Sequence, residues 1–299
     1  MNSNKPLKKN ARLKFDKTNL MYLPAIVIFL IFVIYPFFTG IKISFTNWNG
    51  FSQSYQYVGF ENYLYMLRDK NVWSSFINTV VYGVGSTVLQ QMMGLMLALA
   101  INSKFKGRNI GRTIIYMPVL IAAVIMGYMW YFIVQYDGGA LNDVLILFGK
   151  EPVDWLTQGA LTVWLIVIVN TLQYFGISMI IYLAGLQGIS DMYYEAAEID
   201  GASAFSKFLH ITLPLLMPAI STSVTLNLIG GLKLFDVIKA LTNGGPGYST
   251  HSLSTLVNFS YFNNQSAGYA STMGLFLFVF IILISLGAQK FFRSKEVDL

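Results

Sequence analysis

The sequence predicts an all-α, polytopic membrane protein: a six-helix transmembrane bundle with both termini in the cytoplasm. Three observations predict it. Of 299 residues, 55% are hydrophobic and 11% charged, against roughly 25% charged in soluble domains. Six apolar runs each approach the roughly 20 residues that a helix needs to cross a bilayer, and none holds Asp, Glu, Lys or Arg. Lysine and arginine are shared unequally among the segments that join the runs.

The runs fall at 20–41, 76–101, 113–134, 161–183, 213–232 and 270–289. Backbone groups in lipid must be satisfied internally, so each is predicted to be a helix. A β-barrel would show alternating strands of about ten residues, and none are visible. The first run follows the basic stretch MNSNKPLKKNARLKFDKTN, so a signal peptide competes. The run is too long for a signal core, and KISFTNWNG follows it with no small-x-small cleavage site. An uncleaved span is predicted, with residues 1–19 a cytoplasmic basic tail, 20–292 the membrane domain and 293–299 a cytoplasmic C-terminal tail. Pro24, Pro36 and Pro118 are expected to kink their helices.

With the N-terminus inside, the N-terminal tail, the 102–112 loop, the 184–212 loop and the segment after residue 289 hold 14 of the 20 basic residues. That bias orients the chain. The net charge of +6 is thus a topology signal and requires no nucleic acid. Three loops rich in Trp, Tyr, Asn and Gly, roughly 44–75, 135–160 and 235–269, then face outward. Their composition suits an interfacial aromatic belt and also an external partner.

Other chemistry finds little support. The chain has no cysteine and two histidines, His210 and His251, with no carboxylate at metal-ligand spacing, so no metal site, no catalytic residues and no enzyme are predicted. No G-x-x-x-x-G-K-[ST] loop is present for ATP. An ATP-independent secondary transporter would show internal repeats, intramembrane acids or broken helices in both halves; the spans hold no ionisable group to carry a proton, which argues against proton coupling.

The segment EAAEIDGASAFSKFLHITLPLLMP, 195–218, stands out on the cytoplasmic side. Ser190 is placed to cap a short helix from Asp191. Gly201 is placed to end it with a sharp turn, and a second helix starts near Ser203. Met192, Ala196 and Ile199 share one face; Glu195, Glu198 and Asp200 occupy the rest. A docking helix for a cytoplasmic protein and a helix lying on lipid both fit. Three acids with no base before Lys207 lean toward a protein.

EAAEIDGA…ITLPLLMP resembles the EAA loop of ABC importer permeases: Glu195, Ala196, Ala197, Gly201, Ile211, Leu213 and Pro214 occupy the pattern without departure. YVGFENYLYMLRDKNVWSSFINTVVY (57–82), GRTIIYMPVLIAAVIMGYMW (111–130) and KLFDVIKALTNGGPGYST (233–250) are similar to the carbohydrate branch, in particular the maltose-type and multiple-sugar permeases. The resemblance implies a type I importer fold in a bacterial cell membrane, with the coupling loop at 190–214. It implies that Glu195, Ala196, Ala197, Asp200 and Gly201 dock on an ATPase. The implied partners are a second homologous permease subunit in a heterodimer, two ATPase subunits that use ATP and Mg, and an extracellular sugar-binding protein. The chain itself would bind no cofactor and carry a sugar by alternating access.

A sugar needs hydrogen-bonding groups near the midplane. Asn170, Gln173 and Tyr174 lie at i, i+3 and i+4 on the fourth span; Asn227 lies on the fifth, with Gly230 and Gly231 along the same side. Helix-to-helix hydrogen bonding is the competing use of such residues. Counted from Glu195, the resemblance places Asn170, Tyr174, Asn227 and Gly231 in the turns that contact sugar. Gln90 and Gln91 are assigned to packing. Lys233 and Asp236 are spaced to pair. TNGGPGYST (242–250) fits an outer loop that closes the cavity or touches the binding protein, or a plain turn. A permease for a polyol or glycerol phosphate is the alternative; a phosphate would call for Lys or Arg in the cavity.

Overall fold

A computed structural model describes residues 21–103 and 106–295. The described residues are mostly helical, with no strand beyond one isolated bridge between Thr46 and Tyr57. Four single helices are long and apolar enough to cross a membrane, and two bent pairs bring the total to six. The basic tail expected at 1–19 and the last residues of the C-terminal tail lie outside the described residues.

Helix α1 (Leu23–Ser44) leaves its apolar window unburied by this chain. Pro24 sits in its first turn, where the missing N–H costs nothing. Pro36 follows a π-turn at Leu30–Ile34. Proline removes one i→i−4 bond, and the widened turn absorbs the mismatch. Only the far end of α1 docks: Phe37 packs on Phe278 with ring centroids 4.9 Å apart. Ser44 Oγ lies 2.7 Å from Tyr63 Oη of α2 (Glu61–Arg68). Asn62 Nδ2 ties the intervening loop down by donating to Ser44 O at 2.8 Å and Thr46 O at 2.9 Å.

The second span, α3, runs Lys70–Asn102, six residues longer at its start than its apolar run. Asp69 caps it by accepting from Asn71 N at 2.9 Å, which lets a polar first turn join the apolar part. α3 crosses α10 (Met217–Leu232) where Gly83 meets Gly231. A Cβ on Gly231 would lie 2.8 Å from Gly83 Cα, so bare backbone is what allows the approach.

The third run is not one straight helix. α4 (Arg108–Leu120) and α5 (Ala123–Val134) meet at 95°. Pro118 ends α4, and Ile121 and Ala122 are extended (ψ 131° and 135°). The carbonyl stranded at the break is met by Gln173 Nε2, which donates to Ile121 O at 3.1 Å. The following loop holds α6 (Ala140–Leu147) and is organised by one side chain. Buried Asn142 donates to Tyr136 O at 3.1 Å and Val153 O at 3.0 Å, and accepts from Val153 N at 3.1 Å and Trp155 Nε1 at 2.9 Å.

The centre of the bundle is α7 (Ala160–Gln187), with 56% of its apolar window buried. Ile166, Val167 and Val169 join Tyr82, Val237 and Ile238 in one core cluster; Met179, Tyr182 and Leu183 join Ala98 and Leu216 in another. After α8 (Asp191–Ile199) and α9 (Ala204–Leu215), the chain bends by 65° into α10. Short helices α11 (Asp236–Leu241) and α12 (Leu253–Phe262) then lead to the last span, α13 (Ala267–Arg293).

Candidate functional site

A cavity of about 370 Å³ opens between α7 and α10, with Gln90 of α3 on its wall. Asn170, Tyr174, Asn227, Gly230 and Gly231 line it, and Lys233 and Asp236 stand at its rim. Asn170 and Asn227 are 2% and 6% exposed. Asn227 Nδ2 donates to Ser178 Oγ at 2.6 Å, which leaves its carbonyl oxygen for the cavity. The walls are otherwise apolar: Ala123, Ile177, Leu226 and Leu234. Amide, phenol and aliphatic groups together suit a hydroxyl-rich solute.

Gln173 does not line this cavity; its amide serves the α4–α5 break described above. One residue of the i, i+3, i+4 trio is therefore turned away, because α7 is enclosed on several sides and only part of that arc faces the opening. Gln90 and Gln91 divide as well. Gln91 belongs to the packing network: its Nε2 donates to Ser178 Oγ at 3.4 Å, and its Oε1 accepts from Ser223 Oγ at 2.8 Å and from Tyr182 Oη. This network ties α3, α7 and α10 together one turn from the cavity, toward α8. Gln90 Nε2 donates to Asn170 O at 3.1 Å, while its Oε1 is buried with no partner among the described residues. Ser178, Tyr182 and Ser223 escaped the sequence reading. The signal was present: Asn170, Tyr174, Ser178 and Tyr182 recur every four residues, as do Ser223, Asn227 and Gly231.

Lys233 and Asp236 do not pair. The sole ion pair among the described residues joins Lys207 and Glu198 at 2.7 Å. Lys233 is already past the end of α10, and Asp236 begins α11. The i, i+3 rule needs a continuous helix, and the chain is not helical between the two.

The second site is the corner at 190–214. Ser190 and Ser203 cap α8 and α9. Gly201 has φ +73°; its N–H donates to Glu198 O at 3.0 Å, and Ala202 N–H to Ala197 O at 2.9 Å. These are the two bonds of a Schellman cap, which requires a left-handed residue there. Lys207 Nζ reaches Glu198 across the corner, and Tyr194 Oη lies 3.0 Å from Thr212 Oγ1, so α8 is braced on α9. The hydrogen bond from Lys207, and then its charge, hold the Glu198 carboxyl below its ordinary range. No residue of α8 is buried. Glu195, Ala196, Asp200 and Gly201 are exposed and Ala197 is half-buried. Ile199, Met192 and Phe205 project apolar side chains that are 88%, 65% and 71% exposed.

The 242–250 segment is fastened rather than hanging free. Asn78 Nδ2 donates to Ser249 O at 2.8 Å and His251 O at 3.1 Å, Tyr82 Oη donates to Thr250 O at 2.9 Å, and Leu253 N donates to Thr79 Oγ1 at 2.8 Å. His251 is 3% exposed, with Nδ1 2.9 Å from Thr255 Oγ1. Burial, and then the charge of Lys239, bring its pKa down to about 4.

A cavity with amide and phenol groups between two apolar helices and an exposed, capped helix corner with apolar tips thus stand on one chain. Residues 90–296 match a family described as the binding-protein-dependent transport system inner membrane component. The chain belongs to this family. It is a multi-pass membrane transport component and not an enzyme. It is 35% identical over 289 residues to the trehalose/maltose transport system permease protein of Thermococcus litoralis, covering 96% of this chain and 98% of that one. It is 33% identical over 276 residues to the multiple sugar-binding transport system permease protein of Streptococcus mutans, covering 91% and 93%. Among solved structures it is similar to a chain of a bacterial ABC transporter involved in the import of the acidic polysaccharide alginate. The TM-score is 0.81 at 27% identity, covering 93% of this chain and 95% of that one. It is also similar to a chain of the alginate transporter in complex with a pentasaccharide-bound periplasmic protein, with TM-score 0.82 at 26% identity over 95% and 96%.

Proposed function

We propose that this chain is one of two permease subunits of an ATP-driven, binding-protein-dependent sugar importer, and that the α7–α10 cavity is its half of the sugar path. The observation that carries the reading is the pairing of that cavity, midway along α7, with the α8–α9 corner just past the C-terminal end of α7. Asn170, Tyr174, Asn227 and Gly231 are the residues assigned to sugar. Gln173 supports the site indirectly by holding the α4–α5 break. Glu195, Ala196, Ala197, Asp200 and Gly201 are assigned to docking on an ATPase subunit. The partners are a second permease subunit, two ATPase subunits that use ATP and Mg, and an external sugar-binding protein. The relatives' carbohydrate substrates support a sugar as the cargo.

The geometry supports the following mechanism. Residues 20–292 act as the permease domain and 190–214 as its coupling loop. When the ATPases close on ATP, a force on α8 passes through the Glu198–Lys207 brace and α9 into α10, and directly into α7. The Gln91–Ser178–Ser223 network makes α3, α7 and α10 move together, so the cavity wall turns as a unit. A polyol phosphate is the alternative cargo. Lys233 favours it and Asp236, of opposite charge at the same rim, opposes it.

The test is uptake in proteoliposomes holding both permeases, the ATPase and the binding protein. Asn170→Ala and Asn227→Ala should raise the half-saturating sugar concentration while leaving the complex assembled. Unchanged uptake in both would remove the cavity from the pathway. Gly201→Pro should uncouple ATP hydrolysis from uptake, and retained coupling would remove the corner from the mechanism.

A further inference from the structure

A second pocket stands at the end of the bundle away from the α8–α9 corner. α3 and α7 run side by side in the same direction, Gly85 against Val167 and Gly94 against Ser178, so the start of α3 lies opposite the end of α7 that leads to α8. There the α2–α3 junction, α12 and the start of α13 enclose about 200 Å³. Its floor holds Ser260 of α12, 3% exposed. A buried helical serine can satisfy its hydroxyl on the carbonyl four residues back. Ser260 Oγ makes no hydrogen bond to a described residue, yet it is not sealed by packing. Beside it, Asp69 Oδ2 accepts from Tyr269 Oη at 2.8 Å and Oδ1 from Asn71 N at 2.9 Å, which leaves each carboxylate oxygen a further lone pair. The rim carries the side-chain amides of Asn71 and Asn264, and neither bonds to a described residue. The chain fixes this rim: Asn264 N donates to Phe259 O at 3.2 Å and Ser266 N to Ser260 O at 3.0 Å, with Gln265 between them left-handed at φ +49°.

Charge and hydrogen-bonding capacity narrow the ligand. Asp69 is the one formally charged residue of the lining, so an anion is turned away. A metal ion would find a single carboxylate, and no group of three acids or histidines that could hold one exists among the described residues. What remains is a half-satisfied carboxylate, two free amides and a buried hydroxyl, donors and acceptors together. Tyr65, set edge-to-face on Tyr269 with ring centroids 5.0 Å apart, adds an aromatic wall. A neutral solute with hydroxyls on its edge and an apolar face meets all of these groups. Pockets for drug-sized ligands measure roughly 300–1,000 Å³, so this smaller one suits a single ring. The geometry points to a second sugar site on this chain, one that takes a single pyranose unit. The choice of a sugar rests on the importer reading above, on which this is the outer end of the bundle. The site is separate from the α7–α10 cavity: from Asn71 to Gln90, α3 rises about 28 Å at 1.5 Å per residue.

The test uses the assembled complex in nanodiscs, without the binding protein and carrying Asn170→Ala and Asn227→Ala so that the α7–α10 cavity contributes little. D-Glucose, D-galactose and D-mannose are the probes, and saturation transfer from protein to sugar protons is read against concentration. At least one should give a saturable signal. Added to that background, Ser260→Val removes the buried hydroxyl at nearly constant volume, and Asn264→Ala changes an exposed position. Each should raise the midpoint about threefold to tenfold, the share of one hydrogen bond. If Ser260→Val fails to assemble, Asn264→Ala decides. No saturable signal from any of the three sugars would mean that a neighbouring subunit fills the pocket or that it is only hydrated, and would overturn the inference. A signal that neither variant moves would place the binding elsewhere and also overturn it. Displacement by methylammonium would reassign the pocket to a cationic side chain of a partner, with the same consequence. Uptake by the wild-type complex is measured separately, so a pocket that fails while sugar uptake persists leaves the importer reading standing.

Discussion

Gly230 and Gly231 are adjacent on α10 and both line the cavity, yet their surroundings differ. A Cβ on Gly230 meets nothing within 4 Å. A Cβ on Gly231 lies 2.8 Å from Gly83 Cα, 2.9 Å from Ser86 Oγ and 3.1 Å from Tyr82 O. Two of those three atoms are backbone and cannot rotate away. Gly230→Ala should gain the helix propensity of alanine, about 0.8–1.0 kcal/mol. Gly231→Ala gains the same but forces α3 and α10 apart, and overpacking of this kind costs about 1–3 kcal/mol. The two variants should therefore differ by about 2 kcal/mol, or about 3 °C in melting temperature for a chain of this size. Intrinsic Trp and Tyr fluorescence of the purified protein during heating measures this directly. Equal melting temperatures would refute the claim that the α3–α10 crossing is set by backbone contact at Gly83.

Other outcomes follow from single features. Asn142→Leu should leave Val153 N and two carbonyls without their partner, at a cost of about 1–3 kcal/mol for a buried unmet group; limited proteolysis should then cut the 135–160 loop sooner than in wild type. Ile199→Asp and Phe205→Asp should weaken co-purification with the ATPase without lowering the melting temperature, since neither side chain is packed; a lowered melting temperature would show that they serve the fold. The His251 pKa lies at about 4 in the folded protein against an ordinary value of 6.5. Its stabilising contribution is complete above pH 6.5 and is lost as pH falls toward 4, because only the unfolded chain takes up the proton in that window. About 3 kcal/mol is at stake, so His251→Gln should flatten the pH dependence of melting between those values.

The spans, the helix corner and most of the cavity could be read from the sequence because each depends on local pattern. An apolar run free of charge must be helical in lipid whatever its neighbours are. Ser190, Ser203 and Gly201 act within a few residues of themselves, so their caps appear where they stand in the chain. Asn170, Tyr174 and Asn227 were visible as polar groups in apolar helices, where such groups must face inward. Other assignments depended on distant chain segments. Gln173 turned from cavity to hinge because Ile121, 52 residues away, lost its helical partner at a break. Gln90 and Gln91 are neighbours with different duties because α3 is gripped by α7 on one side and α10 on the other. Lys233 and Asp236 stayed apart because α10 ended before Lys233 and α11 began only at Asp236. Hydrophobic periodicity and capping are short-range, and the sequence alone decides them. Which face of a buried helix meets a cavity, a carbonyl or another backbone depends on how the helices cross, and only the tertiary structure decides that.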